Sequence, residues 1–249
     1  MKKIIIVLCM MLMSITPIYA QEKSLTTYVG ALNCFAVDDD VTLKIDIAHP
    51  KIMKVVNGNS IMATKAGQTT MKVTIDEQVY PFKVIVKKKK LVAFKDLKDR
   101  KAWIGKMNEK QAKQAYKEAL VLVKQALSPN KEKTLKRLTL LLRHYFDQMA
   151  TYNTKGKHYN DPYGYFVDHK VTCAGATRAT GLCLNILGYR FEHVNANKYD
   201  HQWARTKVGK SYYAVDPFTY ICAKEPGVRQ LPKEMTSDLM DDSSFEISL

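Results

Sequence analysis

Cysteine is scarce: the 249 residues contain five, and no two of them form a CxxC pair. A structural zinc site wants ligands paired at short spacing, and His169, His193 and His201 around Cys173 offer no such pair, so no metal is expected. There is no Asp-rich loop of the kind that holds calcium, and no cofactor is implied. Glycine (11) and proline (8) are sparse and 46% of the residues are apolar, which excludes a disordered tail. A charged share of 25% excludes a polytopic membrane protein. Acidic residues are in deficit, 24 against 39 Lys plus Arg, for a formal charge of +15. Such a balance fits anionic surroundings: nucleic acid, lipid headgroups or cell-wall polymers. The length predicts one or two globular domains.

Long apolar runs are missing too. The run from Ile4 to Met13 is about half of the ~20 residues that a spanning helix needs. Lys2 and Lys3 precede it, and Ser14, Thr16 and Pro17 lead on to the small Ala20, so residues 1–20 read as a signal peptide cut after Ala20. Cys9 lies inside the apolar run, which argues against a lipid-modified cysteine. Cleavage leaves 37 basic residues (39 less Lys2 and Lys3) against 24 acidic ones, a charge of +13. The expected location is secreted or extracellular, with cell-surface association through the basic charge and no integral span after cleavage. An exported protein rarely meets nucleic acid, so the expected partners are a protein or peptide substrate and cell-wall or cell-surface components. The plainer alternative is that the lysines only solvate the surface. Cys34, Cys173, Cys183 and Cys222 remain, enough for two disulfides outside the cytosol.

Between residues 41 and 86 apolar residues alternate, as at Val41, Leu43, Ile45, Ile47 and at Met71, Val73, Ile75. Period two predicts strands with one buried face. Asn57-Gly58, Ala66-Gly67 and Asp76-Glu77-Gln78 break the runs at the turn spacing of a small sandwich. Pro81 is expected on an edge strand. Lys87 to Lys90 form a like-charge block that resists burial, and a domain boundary is placed there. Pro50, Val55, Val56, Asn57 and Gly58, followed by Ala66, Gly67, Thr69 and Thr70, resemble the pattern of the bacterial Ig-like domains of group 2. The resemblance covers roughly residues 25–88 and implies a β-sandwich without a catalytic site, used as a spacer or adhesive module. Cys34 falls early in this stretch with no evident neighbour.

From Asn108 the period becomes helical, through Ala112, Ala115, Tyr116, Ala119, Leu120, Val123 and Leu127, and Asn108 with Gln111 makes a capping box. Ser128-Pro129-Asn130 stops that helix. A second begins near Lys131, with Leu135, Leu138, Leu142, Tyr145, Phe146 and Met149 predicted on its buried face. A third starts at Val171-Thr172-Cys173 and ends at Gly188. Cys173 therefore stands at a helix N-terminus, where unpaired N–H groups and the helix dipole favour a thiolate. Cys183, ten residues on, is ~15 Å away along the helix, too far for a bridge to Cys173, and is expected in the core. An alternative places Cys173 in a disulfide with Cys222.

A thiolate nucleophile needs a base that later returns a proton to the leaving group, and His201 is the candidate. It is predicted to open a strand running to Val208. Gly209-Lys210 then turns the chain into a second strand from Ser211 to Asp216, by a two-residue type II′ loop. In that register residue 203 faces 216, so His201 and Asp216 share one side of the ribbon as diagonal neighbours. Asp216 would then orient the imidazole and stabilise its charged form. His49, His144, His158, His169 and His193 show no comparable arrangement. The backbone N–H of Cys173 is one candidate oxyanion donor, with a side chain from the Asn153 to Tyr165 loop as another.

Cys173 at a helix start, Gly188-Tyr189 at its end, His201-x-Trp203 on one strand, and Gly209, Tyr212 or Tyr213 and Val215-Asp216-Pro217 on the next resemble the transglutaminase-like cysteine enzyme superfamily. The helix around Tyr145 to Tyr152 extends the likeness over about residues 110–222. The resemblance implies a Cys173 nucleophile, His201 as general base and acid, and Asp216 as the orienting carboxylate. Val171-Thr172-Cys173 departs from the family's frequent Gly-Val-Cys. The expected class is α+β: an Ig-like β-sandwich over 21–90, then a papain/transglutaminase-like domain over 91–249 with helices packed on an antiparallel sheet. The expected function is that of an exported cysteine-dependent amide-bond enzyme, a peptidase or a protein-glutamine acyltransferase or deamidase working through a thioester. The competing expectation is a non-catalytic adhesin or wall-binding protein on the same scaffold.

Overall fold

The computed structural model describes residues 22–35, 40–195, 197–231 and 245, so the leader expected over residues 1–20 lies outside the described residues. The chain is a mixed α+β protein with several antiparallel sheets. Seven strands come first: β1 (Lys23–Tyr28), β2 (Leu32–Cys34), β3 (Leu43–Ile47), β4 (Met53–Val56), β5 (Ser60–Ala63), β6 (Gly67–Ile75) and β7 (Gln78–Lys87). They form one sheet in the order β1-β7-β6-β3 and a second in the order β2-β5-β4. Only the β1–β7 pair in these two sheets is parallel. The alternation read in the sequence decides what each strand buries. Thr69, Met71 and Val73 of β6 and Phe82, Val84 and Val86 of β7 face a core shared with Phe35, Met53 and Ile61.

Asn57 (φ 52°) and Gly58 (φ 74°) take the left-handed backbone in the β4–β5 turn, as their types favour. Pro81 does not lie on an edge strand, because β7 sits between β1 and β6. The strand tolerates it because β1 begins to pair only at Phe82, so at Pro81 β7 has a partner on one side alone.

The helical part follows: α1 (Glu109–Ala126), α2 (Lys131–Met149), β8 (Thr151–Tyr152), β9 (Lys170–Val171), α3 (Cys173–Ile186), and then β10 (Phe191–Val194), β11 (Trp203–Val208), β12 (Ser211–Asp216) and β13 (Ile221–Lys224). The capping box is formed: the Asn108 side chain accepts from the Gln111 N–H at 2.9 Å, and Gln111 Oε1 accepts from the Asn108 N–H at 3.0 Å. Asn130 caps α2 by accepting from the Lys133 N–H at 3.0 Å. The last four strands make an antiparallel sheet in chain order. Ala119, Leu138, Ala179, Cys183, Ala204 and Val215 belong to the core between that sheet and the helices. α3 lies close against the sheet at Gly181, where a Cβ would be 2.1 Å from the Phe191 ring. Met149, predicted inward, is 53% exposed. The helix ends there instead of reaching Tyr152, so its last turn projects past the core.

Asn33 of β2 and Arg137 of α2 are both buried and join the two groups of elements. Arg137 Nη2 donates to Asn33 Oδ1 at 2.9 Å and Nη1 to the Leu127 carbonyl at 3.1 Å. Burial lowers the Arg137 pKa to about 10, and nearby Cys34, for which the sequence showed no neighbour, works in the opposite direction. Among the described residues no helix is long and apolar enough to cross a membrane.

Candidate active site

Cys173 is the first residue of α3, after an extended Thr172 (φ −107°, ψ 179°). The chain ahead of it is held from two sides: the Asn153 N–H donates to the Val171 carbonyl at 3.0 Å, and the Thr172 N–H to the Tyr159 carbonyl at 2.8 Å. Gly175 permits this approach, because a Cβ there would stand 2.3 Å from Val171 Cγ2 and 2.6 Å from the Tyr159 oxygen. The Cys173 thiol lies below its ordinary value. The main cause is a hydrogen bond with His201, followed by the imidazolium charge and the Ala174 and Gln202 N–H groups, against an upward push from burial. The other two thiols of this part of the chain behave oppositely. Burial drives Cys183 and Cys222 up, Cys222 to about 12. None of Cys34, Cys173, Cys183 and Cys222 is in a disulfide, so the alternative Cys173–Cys222 bridge is absent.

The β11–β12 hairpin has the expected register, with Val208 opposite Ser211 and Ala204 opposite Val215. Gly209 has φ 62° while Lys210 is not in the left-handed region, as a type II′ turn requires. His201 itself precedes β11 by two residues instead of opening it. Its carbonyl is taken by the Asn197 side chain at 2.5 Å, and β10–β11 pairing begins at Trp203. This freedom from the ladder lets the ring swing toward both partners. His201 Nε2 lies 2.6 Å from Asp216 Oδ2, which leaves Nδ1 for the thiol.

Asp216 is 2% exposed. It also accepts from the Phe218 N–H at 3.0 Å and the Thr219 hydroxyl at 2.5 Å. Its bond to His201, then the bond to Cys173, raise the His201 pKa to about 10 against the cost of burial. The thiolate and the imidazolium thus favour each other, and the buried carboxylate favours the imidazolium.

The sequence missed two features. Tyr152, expected at the end of a helix, stands in β8 opposite Val171. Its pKa is raised by desolvation, then by the charge of Cys173 and a hydrogen bond with it, so the hydroxyl lies within the electrostatic reach of the sulfur. The side-chain donor expected from the Asn153 to Tyr165 loop has its counterpart one residue ahead of that loop, at Tyr152. The second is a His–Asp pair: His158 Nδ1 lies 2.8 Å from Asp161 Oδ2, with both side chains buried. Gln111 Oε1 is occupied by the Asn108 N–H, so Gln111 Nε2 donates to His158 Nε2 at 3.0 Å and the ring proton sits on Nδ1. Asp161 also accepts from the N–H groups of Lys106, Tyr163 and Gly164. The pair holds together the loop whose Tyr159 carbonyl accepts from the Thr172 N–H.

Asn153, Lys155, Gly156, His158, Tyr159, Asp168 and Lys170 line a cleft of about 430 Å3, of which Cys173 is not a lining residue. Among the described residues no group of three or more His, Cys, Asp or Glu side chains is arranged to hold a metal ion. A low thiol, an imidazole and a buried carboxylate in this order are groups that can serve chemically as a nucleophile, a proton carrier and its counter-charge. No family model matches this chain, and no curated protein matches it.

Proposed function

We propose that the chain is an exported cysteine-dependent amide-bond enzyme of transglutaminase-like type, in which Cys173 is the nucleophile, His201 the general acid and base, and Asp216 its orienting carboxylate. One observation carries this: the lowered Cys173 thiol is linked through His201 to the buried Asp216 carboxylate. The thiolate attacks an amide carbonyl, forming a C–S bond, and the carbonyl oxygen takes the negative charge. The first-turn N–H groups of α3 and the Tyr152 hydroxyl are the oxyanion donors. His201 then gives its proton to the amine as the C–N bond breaks, leaving a thioester and a neutral imidazole. Water or a second amine adds to the thioester, with His201 taking its proton and the thiolate leaving. Hydrolysis makes the enzyme a peptidase or deamidase, and capture by an amine makes it an acyltransferase.

In this proposal residues 91–249 are the papain/transglutaminase-like domain and residues 21–90 an Ig-like sandwich that spaces or anchors it at the cell surface. The core of strands β1–β7 is separate from the core around α1–α3 and from the small one at Val194, Trp203, Ala214 and Ile221, which supports that division. The test is iodoacetamide labelling of Cys173 in the intact protein and in His201→Ala, followed by turnover of peptide amides. Rapid Cys173 labelling that His201→Ala slows by ten-fold or more, together with amide turnover, is expected. Labelling at the rate of a free thiol in both proteins would support the non-catalytic adhesin instead.

A further inference from the structure

The end of α2 and the strand β8 that follows it leave apolar side chains in solvent. Met149 is 53% and Tyr152 60% exposed, and Phe146 and Met149, three residues apart, share one helix face. The Phe146 and Phe218 rings are 4.8 Å apart, and Phe218 meets the Tyr152 ring edge-on at 5.9 Å. An aromatic ladder thus runs from α2 to Tyr152, which pairs with Val171 two residues before Cys173. It is also fixed in place. Arg143 donates to the Phe218 carbonyl at 2.9 Å and lies over the Phe146 ring at 5.5 Å, while the Phe218 N–H is held by Asp216. Large apolar side chains gathered in solvent on a rigid support mark a binding surface, and this one ends at the β8–β9 pair that leads into Cys173.

We propose that Phe146, Met149, Tyr152 and Phe218 form a substrate subsite that takes a large apolar or aromatic side chain flanking the scissile amide. The proposal rests on the amide-bond chemistry proposed above and adds the substrate class. A substrate placing a methionine, phenylalanine or leucine beside its reacting carbonyl covers the ladder and removes its apolar surface from water. A glycine or an acidic residue at that place leaves it exposed.

The experiment compares two alkylating probes at Cys173, iodoacetamide and N-benzyl iodoacetamide, with rates read by peptide mapping and normalised to the same ratio for glutathione. The expected normalised preference for the benzyl probe is roughly ten-fold or more, the scale of one partly buried ring. It should fall toward one in Met149→Gln and in Tyr152→Ala, and persist in Tyr152→Phe, which keeps the ring. Val121→Gln, a change at an exposed residue of α1, controls for surface substitution. Met149 is exposed and its change spares the core, so a folding failure of Tyr152→Ala would leave that arm intact. Fast labelling by both probes without benzyl preference would overturn the subsite and leave the amide chemistry standing. A preference that survives Met149→Gln and Tyr152→Ala would also overturn it. Slow labelling by both probes would sink the amide chemistry, and the subsite with it.

Discussion

Trp203 and Asp216 are the next residues beyond Ala204 and Val215, the pair at which the β11–β12 register ends. Two residues before Trp203 the chain leaves the ladder, and this places the His201 ring over the Asp216 carboxylate, stacked beside Trp203 with ring centroids 6.4 Å apart. The two-residue turn at Gly209-Lys210 is what fixes the parity.

Asp216→Asn should preserve folding and substrate binding while lowering turnover on the order of 10^3- to 10^4-fold, since an amide can hold the ring but cannot stabilise its charge. Steady-state rates with a circular dichroism control check this. Insertion of one residue between Gly209 and Lys210 should cost about as much, because it turns one strand's side chains over unless a bulge restores register. Near-normal turnover in Asp216→Asn would remove Asp216 from the triad.

The pH profile follows from the coupled pair. Alkylation of Cys173 should rise with pH through a midpoint below the ordinary thiol value of 9.0. Turnover needs a protonated His201 for the leaving amine, so it should fall as pH passes about 10. The two limbs belong to the pair jointly. In His201→Ala the largest cause of the lowered thiol is gone, and the alkylation midpoint should move up. An unchanged midpoint in that variant would mean that the imidazole does not hold the thiolate.

Asp161→Ala should destabilise the protein by about 3 kcal/mol, because it strands a buried imidazole N–H and three backbone N–H groups at once. Thermal unfolding measures it. Asp161→Asn should be milder, as the amide oxygen keeps part of the acceptor set. Equal stability of wild type and Asp161→Ala would show that water replaces the carboxylate, and that this loop does not depend on it.

The formal charge of +15, or +13 if the leader expected over residues 1–20 is removed, should give salt-sensitive retention on anionic polymers. Screening shortens the Debye length from ~10 Å at 0.1 M to ~3 Å at 1 M salt, so a protein held on a polyanionic resin at low salt should elute well before 1 M. Retention that is absent at low salt, or unchanged across the range, would assign the lysines to solvation alone.

The sequence by itself determined whatever is carried by short spacings. Asn108 and Gln111 announce their helix because a capping box closes within four residues. Cys173 is placed at a helix start by the period that follows it, and Gly209-Lys210 sets the register that brings Asp216 to the His201 side. Residues far apart in the chain were decided only by tertiary structure. Met149 continues the apolar stripe of α2 and was expected inside, yet α2 outruns the core at its last turn and leaves it in solvent. Tyr152 sits 21 residues before Cys173 and comes within electrostatic reach of the sulfur because the β8–β9 pair aligns it with Val171. His158 and Asp161 are neighbours in sequence, but their meaning depends on Gln111 and Lys106 from another part of the chain. Asn33 and Arg137 meet across 104 residues. Periodicity and turn chemistry report which face of an element is apolar, whereas how far the core extends beneath that face depends on how the elements pack together.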